Sequence, residues 1–379
     1  MRHRGFSTDY GALPRMEQLD GLRAIAVLLV FYHHWMPWSY QFNLPLGEFG
    51  VDLFFILSGF LITGILLKCR RYTENDGQSV MVAVRQFYAR RFLRIFPLYY
   101  VVLLACTFMA PVLTNGLTPW LWSYTLNLYR SLVNNTWGSP ISHLWSLSIE
   151  EQFYLLWPWV ILLVPRRLLL RVIVLAILIG PATKAIIALA GGSGATIRYF
   201  TLSCFDTLAM GALLAYFVDQ KGLSAVSRSS GVKWLLGISL PIVLAGFWLK
   251  LTGDTPSKLT LLAITARTLL FGWVVIKAAQ GFKGPAGYVL ASPLVVYLGR
   301  ISYGLYLLHK PIPFILRKLR VPLEVLPPVV TFFIYTSLSI IVAALSWRLF
   351  ESPINSLKRR FPYRQKNASD ETLPMTAGA

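Results

Sequence analysis

Residues 48–67 read EFGVDLFFILSGFLITGILL, and this stretch decides the class of the protein. An α-helix needs about 20 mostly apolar residues to cross a hydrocarbon core roughly 30 Å thick, and here only Glu48 and Asp52 are charged. Similar stretches recur at 21–41, 93–113, 147–164, 168–190, 201–218, 234–251, 259–277, 293–314 and 326–349. The sequence therefore predicts an all-α, polytopic integral membrane bundle of about ten transmembrane helices.

The composition agrees with a chain whose main solvent is lipid. Of the 379 residues 55% are hydrophobic and 14% are charged, whereas soluble domains contain about 25% charged residues. The formal charge is +20, from 36 Lys and Arg against 16 Asp and Glu, and in a soluble protein this excess would indicate nucleic acid. Here the basic residues gather in alternate linkers, at 68–94, 165–171, 219–233 and 277–283. This is the positive-inside pattern, so we expect the lipid bilayer as a partner and no nucleic acid.

The basic linkers and both tails fall on one side of the predicted bundle, which we interpret as the cytoplasmic side of a multi-pass protein in the cell membrane. This gives a cytoplasmic tail at 1–20, a transmembrane domain at 21–350 and a second cytoplasmic tail at 351–379. A loop departs from the rule because it contains Lys310, Arg317, Lys318 and Arg320. Either this loop lies at the outer surface with a functional charge, or the last two spans are drawn wrongly.

Cysteine placement does not indicate a metal. Cys69, Cys106 and Cys204 are scattered, with no CxxC pattern and no cluster of Cys and His. Neither a disulfide framework nor a zinc site is predicted.

Two ionisable residues stand out in the first span, where such side chains are costly and therefore suggest function. Arg23 and His34 are eleven positions apart, which in a helix is three turns plus about 20°, so both lie on one face roughly 16 Å apart. Histidine suits the role of general base toward a hydroxyl, because its pKa lies near operating pH. The alternative is that Arg23 reaches the headgroups and His34 makes a hydrogen bond between helices.

Six strings in order resemble the membrane acyltransferase-3 family: DGLRAIA at 20–26 followed by His34, GVDLFFILSGFL at 50–61, RRFLRIFP at 90–97, LWSLSIEEQFY at 144–154, FDTLAMG at 205–211 and GRISYGLYLLH at 299–309. The resemblance covers about residues 15 to 355. It implies a bundle that takes an acyl group from acyl-CoA at the cytoplasmic side and delivers it to a hydroxyl of an acceptor. It also implies that His34 is the catalytic histidine and Arg23 its motif partner.

Three arginines open the third span. Arg90, Arg91 and Arg94 are predicted to clamp the phosphates of CoA, since the planar guanidinium suits phosphate better than lysine does. The alternative is a basic anchor that touches anionic lipid. Arg300 is a further candidate for the same phosphates.

Two adjacent carboxylates, Glu150 and Glu151, begin the fourth span. Ser148 and Glu151 match a capping box, which predicts a structural role for Glu151 at a helix start. Glu150 is predicted to act near the site, by orienting the acceptor hydroxyl or by supporting the imidazolium of His34. A buried structural hydrogen bond is the alternative.

The remaining candidates for substrate contacts are Asp52, Asp206, Tyr303 and Tyr306. Asp206 has the alternative of a buried ion pair with an arginine. The two tyrosines, at i and i+3, are expected to line a sugar site or to pack in the bundle. His309 is interpreted as an interfacial histidine near the outer end of its span.

The function predicted from these residues is a membrane-embedded O-acyltransferase. It would move an acyl group, expected to be acetyl, from acyl-CoA to a glycan, a lipid-linked sugar or a small natural product, with no metal. The alternatives are a secondary transporter or exporter, because charged residues in spans also mark transport paths, and an inactive subunit of an envelope complex.

Overall fold

The computed structural model describes residues 16–41, 44–109, 116–133, 140–252 and 257–364. Within these ranges the regular elements are helical and no strand occurs, which confirms the all-α class. The helices are α1 (Glu17–Trp35), α2 (Leu46–Asn75), α3 (Val80–Met109), α4 (Thr118–Trp122), α5 (Leu126–Leu132), α6 (Trp145–Leu163), α7 (Arg166–Leu189), α8 (Gly194–Tyr199), α9 (Phe205–Lys221), α10 (Leu223–Arg228), α11 (Ser230–Thr252), α12 (Ser257–Gln280), α13 (Gly284–Ala291), α14 (Pro293–Arg300), α15 (Ser302–Leu308), α16 (Pro311–Lys318), α17 (Pro328–Ser346) and α18 (Ser352–Ser356).

Seven helical segments of the described chain are long and apolar enough to cross a membrane: Leu46–Asn75, Val80–Phe108, Arg166–Leu189, Thr201–Lys221, Ser230–Leu249, Leu261–Gln280 and Pro328–Arg360. Each contains one of the predicted spans or most of it. The three other predicted spans correspond to α1, α6 and the series α14 to α16. The total of about ten crossings stays a prediction.

The segment 293–314, which was predicted as one span, does not form one continuous helix. The chain there forms three short helices, α14, α15 and α16, with breaks at Ile301 and at His309 and Lys310. Pro311 begins α16, and because proline has no backbone N–H it cannot continue the hydrogen bonding of α15. The second break therefore leaves His309 just beyond the end of a helix, in the interior of the bundle.

The centre of the bundle is α2, which packs against α1, α6, α9 and α12. Its contact with α9 is very close at two glycines. A Cβ atom built on Gly59 would lie 1.9 Å from the Leu208 carbonyl oxygen, and one on Gly211 would lie 2.1 Å from that of Ile56. Small residues let helix backbones approach in this way. Gly59 therefore serves the packing of α2 on α9.

Basic linkers meet at one end of the bundle, which we call the basic end. Glu74, near the end of α2, pairs with Arg70 at 2.7 Å and with Arg166 at the start of α7 at 2.5 Å. Arg71 pairs with Asp219 near the end of α9. The start of α1 lies at the same end, because Gln18 Nε2 donates to the Phe282 carbonyl at 3.1 Å.

Candidate functional site

Two cavities lie inside the bundle, and they share part of their walls. The first, the arginine cavity, has a volume of about 110 Å³ and is lined by residues that include Arg23, Arg91, Arg94, Ser58, Glu150 and Tyr303. The second, the histidine cavity, has a volume of about 720 Å³ and is lined by residues that include His33, His34, His143, Arg130, Arg198 and Arg267. Val51 and Tyr306 line both, so the two cavities adjoin at these residues.

Helix α1 connects the two cavities. Arg23 lies in its second turn, toward the basic end, and His34 lies in its last turn. The helix is unbroken between them, so the periodicity that relates the two residues holds along its whole length. One rigid element therefore presents a cation to the arginine cavity and an imidazole to the histidine cavity.

Three of the candidate cations line the arginine cavity. Arg23 donates to Asp20 at 2.9 Å, and its side chain is 30% exposed. The guanidinium of Arg91 lies 5.5 Å from the ring centre of Tyr154, and that of Arg94 lies 5.7 Å from the ring centre of Trp347. A guanidinium at this distance from an aromatic face is attracted to the ring and keeps N–H groups available to a ligand.

The other two predicted phosphate contacts lie outside the lining of this cavity. Arg90 donates to the carbonyls of Lys358 at 2.8 Å and Phe361 at 3.1 Å, and it lies 4.5 Å from the ring centre of Tyr363. Arg300 has an exposed side chain, and its carbonyl accepts from Arg94 at 3.5 Å. Arg90 therefore joins α3 to the segment after α18.

Glu150 lies in the arginine cavity and does not line the histidine cavity. Its Oε1 accepts from Ser58 Oγ at 2.7 Å, and Ser58 Oγ accepts in turn from Tyr154 OH at 3.0 Å. Glu150 is thus a member of a polar network on the cavity wall. Its predicted support of the His34 imidazolium does not correspond to any described contact between the two residues.

The predicted capping box at Ser148 is wrong. Helix α6 begins earlier, at Trp145, so Ser148 lies inside the helix and its hydroxyl donates to the Leu144 carbonyl at 3.2 Å. Glu151 consequently occupies an interior helical position. A short 3-10 helix at Ser142–Leu144 directly precedes α6 on its N-terminal side. The sequence pattern alone does not reveal it.

His34 contacts a second histidine that sequence reasoning placed at the membrane interface. His34 Nδ1 lies 2.9 Å from His309 Nε2, and His309 Nδ1 lies 2.6 Å from the Tyr306 carbonyl oxygen. His309 is fully buried, stacked on Phe31 with ring centres 5.2 Å apart. The signal that points to His309 in the sequence is its position at the end of the string at 299–309.

The two aspartates predicted to contact substrate are both ion-paired. Asp52 pairs with Arg198 and with Arg267, each at 3.1 Å, and both arginines line the histidine cavity. Asp206 pairs with Lys184 at 2.5 Å and is 1% exposed, which joins α9 to α7. Asp206 lines neither cavity.

The two tyrosines occupy different positions. Tyr303 lines the arginine cavity, and its hydroxyl donates to the Ile95 carbonyl at 2.7 Å. Tyr306 stands in the shared wall, where its hydroxyl donates to the His143 carbonyl at 3.1 Å and lies 2.6 Å from Ser146 Oγ. These bonds fix the ring of Tyr306 between the cavities.

Comparison with known proteins gives a consistent result. A family profile described as an acyltransferase domain matches residues 16–348. The peptidoglycan O-acetyltransferase OatA of Listeria monocytogenes is 31% identical over 368 residues, which is 89% of this chain and 55% of the relative. The O-acetyltransferase OatA of Staphylococcus aureus is 28% identical over 365 residues, 89% of this chain and 56% of the relative. The chain thus spans a little over half the length of either relative. No solved structure matches the chain.

Proposed function

Because the chain belongs to the family of acyltransferase domains, we propose that it is a membrane-embedded O-acetyltransferase that transfers an acetyl group from acetyl-CoA to a hydroxyl. The observation that carries the proposal is the pair of cavities that adjoin at Val51 and Tyr306. One cavity offers guanidinium groups for a phosphorylated donor, and the other offers an imidazole for the chemistry. Two relatives are named as O-acetyltransferases, which supports the choice of acetyl.

The donor is assigned to the basic end. Arg23, Arg91 and Arg94 are within the arginine cavity and suit the phosphates of CoA. A cavity of about 110 Å³ is smaller than the roughly 300–1,000 Å³ of sites that enclose a whole small ligand. We therefore assign only the thioester arm to its interior and the nucleotide to its mouth, where the exposed Arg300 is a further contact. By the positive-inside rule this end faces the cytoplasm.

The acceptor is assigned to the histidine cavity, whose volume of about 720 Å³ suits a sugar-sized group. Its polar lining includes His33, Glu48 and Arg198. Much of its apolar lining comes from α11 and α12, with residues such as Leu244, Phe247 and Ile264. A glycan, a lipid-linked sugar or a small natural product with a free hydroxyl meets these requirements, and the acceptor of the Listeria relative is peptidoglycan by its name.

In the proposed reaction His34 takes the proton of the acceptor hydroxyl as the oxygen attacks the thioester carbonyl. The new C–O bond forms, the C–S bond breaks, and the departing thiolate receives the proton from the imidazolium, so that free CoA thiol is released. In a second version a His34 ring nitrogen attacks the thioester, the C–S bond breaks and CoA leaves as the thiolate. The acceptor oxygen then attacks the acyl-imidazolium, the C–N bond breaks to restore neutral His34, and the hydroxyl proton neutralises the thiolate. Tyr306 lies between donor and acceptor, and Tyr303 lies on the donor side.

Roles for the remaining candidates follow from their contacts. Glu150 is proposed to orient the thioester arm through the network with Ser58 and Tyr154. Asp52 is proposed to hold Arg198 and Arg267 at the acceptor cavity. Asp206 and Arg90 are proposed to be structural, because each is bonded to protein groups outside the cavities.

The test is a measurement of free thiol with purified protein in lipid nanodiscs, supplied with acetyl-CoA and a candidate acceptor. We expect saturable binding of acetyl-CoA and release of thiol that requires acceptor. Matched nanodiscs containing protein with His34→Ala serve as the control. Folded protein that does not bind acetyl-CoA in nanodiscs, and that in sealed proteoliposomes moves the hydroxylated compound across the membrane without releasing thiol, would argue for the transporter alternative.

A further inference from the structure

We infer that His309 is a positioning residue that fixes the tautomer of His34 and so determines which nitrogen of His34 acts as the base. The role in catalysis rests on the proposed function, but the tautomer itself follows from the contacts. His309 Nε2 lies 2.9 Å from His34 Nδ1, and these are the facing atoms of two rings whose centres are 5.0 Å apart.

The direction of the hydrogen bonds can be assigned step by step. A carbonyl oxygen only accepts, so His309 Nδ1, at 2.6 Å from the Tyr306 carbonyl, carries a hydrogen and donates it. Buried imidazoles without a carboxylate partner favour the neutral form, and the described contacts of His309 are with a carbonyl and with rings. A neutral imidazole has one N–H, so His309 Nε2 accepts and His34 Nδ1 donates.

The consequence is a lone pair on His34 Nε2. This nitrogen is the one that does not contact His309, on a side chain that lines the acceptor cavity. When it takes a proton from the acceptor hydroxyl, the bond from His34 Nδ1 to His309 remains in place. His309 thus acts toward His34 as a carboxylate acts toward the histidine of a hydrolase triad, by fixing orientation and tautomer.

The burial of His309 supports this role. It lies just after α15, at the break before Pro311, and Phe31 of α1 stacks on its ring at 5.2 Å between centres. His143 packs against another side of the ring, with centres 4.7 Å apart. The ring of His309 is therefore held on several sides, and the position of its Nε2 is fixed relative to α1.

Three variants separate positioning from folding. In His309→Gln the side-chain oxygen reaches about as far as Nε2 and can accept from His34, whereas the shorter amide in His309→Asn reaches only the Tyr306 carbonyl. His309→Leu removes both bonds. We expect kcat for thiol release to fall at least about tenfold in the Asn and Leu variants and to recover largely in the Gln variant, with KM for acetyl-CoA unchanged. Melting temperatures show whether each variant is folded.

A second readout does not depend on turnover. Nitrogen-15 NMR distinguishes a ring nitrogen that bears a hydrogen from one with a lone pair, and the signals lost in His34→Ala identify those of His34. We expect a protonated Nδ1 and an unprotonated Nε2 at His34 in the unmodified sequence and in the Gln variant, and a mixture of both tautomers in the Leu and Asn variants. The same His34 tautomer and equal kcat in folded Leu and Gln variants would overturn the inference. Full activity of His34→Ala would instead overturn the proposed function and leave the NMR signals to decide the tautomer.

Discussion

His34 lines the larger cavity, whereas the cations assigned to the donor line the smaller one. Because different residues serve binding and chemistry, His34→Ala is expected to lower kcat for thiol release at least about 100-fold. Its dissociation constant for acetyl-CoA should change little. Calorimetric titration in nanodiscs measures binding, and a thiol assay measures turnover. Turnover at the normal rate in folded His34→Ala would contradict the assignment.

Neighbouring arginines on α3 allow a matched comparison. Arg91 lines the arginine cavity, and Arg90, one residue earlier, donates to backbone carbonyls near Lys358 and Phe361. Hydrogen bonds to charged groups contribute about 1.5–3 kcal/mol, so Arg91→Gln should weaken acetyl-CoA binding by about tenfold or more. Arg90→Gln should leave binding unchanged and lower the melting temperature. Equal losses of affinity in both variants would mean that a position in the lining of the arginine cavity does not decide which arginine binds acetyl-CoA.

Single residues also show what the sequence can predict. The period of a helix was enough to place Arg23 and His34 on one helix, because both lie within α1. The bond between His34 and His309 joins residues 275 positions apart and depends on how α15 packs on α1. Asp206 shows the same limit, since its ion pair with Lys184 arises from the packing of α9 on α7. Sequence reasoning anticipated a buried ion pair there, with arginine as the partner.

Among the elements, the contact of α2 with α9 depends on glycine. In Gly59→Ala the new Cβ would lie 1.9 Å from the Leu208 carbonyl oxygen, so the helices must separate. Overpacking of this kind costs about 1–3 kcal/mol, and the melting temperature should fall. Gly64→Ala on the same helix is the control, because a Cβ there meets nothing within 4 Å. Similar melting temperatures for both variants would refute the close contact.

The ion pair between α7 and α9 gives a second prediction at this scale. Removing one partner of a buried pair leaves an unpaired charge and costs about 3–5 kcal/mol, so Lys184→Met alone should destabilise the protein strongly. Adding Asp206→Asn to Lys184→Met should restore most of the lost stability. Thermal unfolding checks this, and acetyl transfer by the double variant checks whether Asp206 binds substrate. An inactive but stable double variant would favour the substrate role.

The presence of the long helices was easier to predict than the residues at which helices begin, break and end. Apolar length alone predicts most of the long helices, because lipid requires backbone groups to bond within the segment. The start of α6 and the breaks at Ile301 and before Pro311 depend instead on local backbone geometry within continuous apolar sequence. The break before Pro311 matters to our proposal because His309, which faces His34 of α1, lies at it.

For the molecule as a whole, the two cavities and the charge distribution predict the side of the membrane from which acetyl-CoA enters. Arg23 and the basic linkers mark one end, and His34 lies toward the other end of α1. If the basic end faces the cytoplasm, acetyl-CoA must arrive from that side. Sealed inverted membrane vesicles, which expose the cytoplasmic face, should therefore consume added acetyl-CoA, which does not cross membranes. Sealed right-side-out vesicles from the same cells should not.

Permeabilised vesicles of both orientations serve as the control and should consume acetyl-CoA at equal rates. Vesicles with His34→Ala show how much consumption is due to other enzymes. If sealed right-side-out vesicles consume acetyl-CoA and sealed inverted vesicles do not, the assigned orientation is reversed, because the arginine cavity must then face outward. Equal consumption by both sealed preparations would mean that the donor reaches the site from either face, which would contradict the assignment of the donor to the arginine cavity.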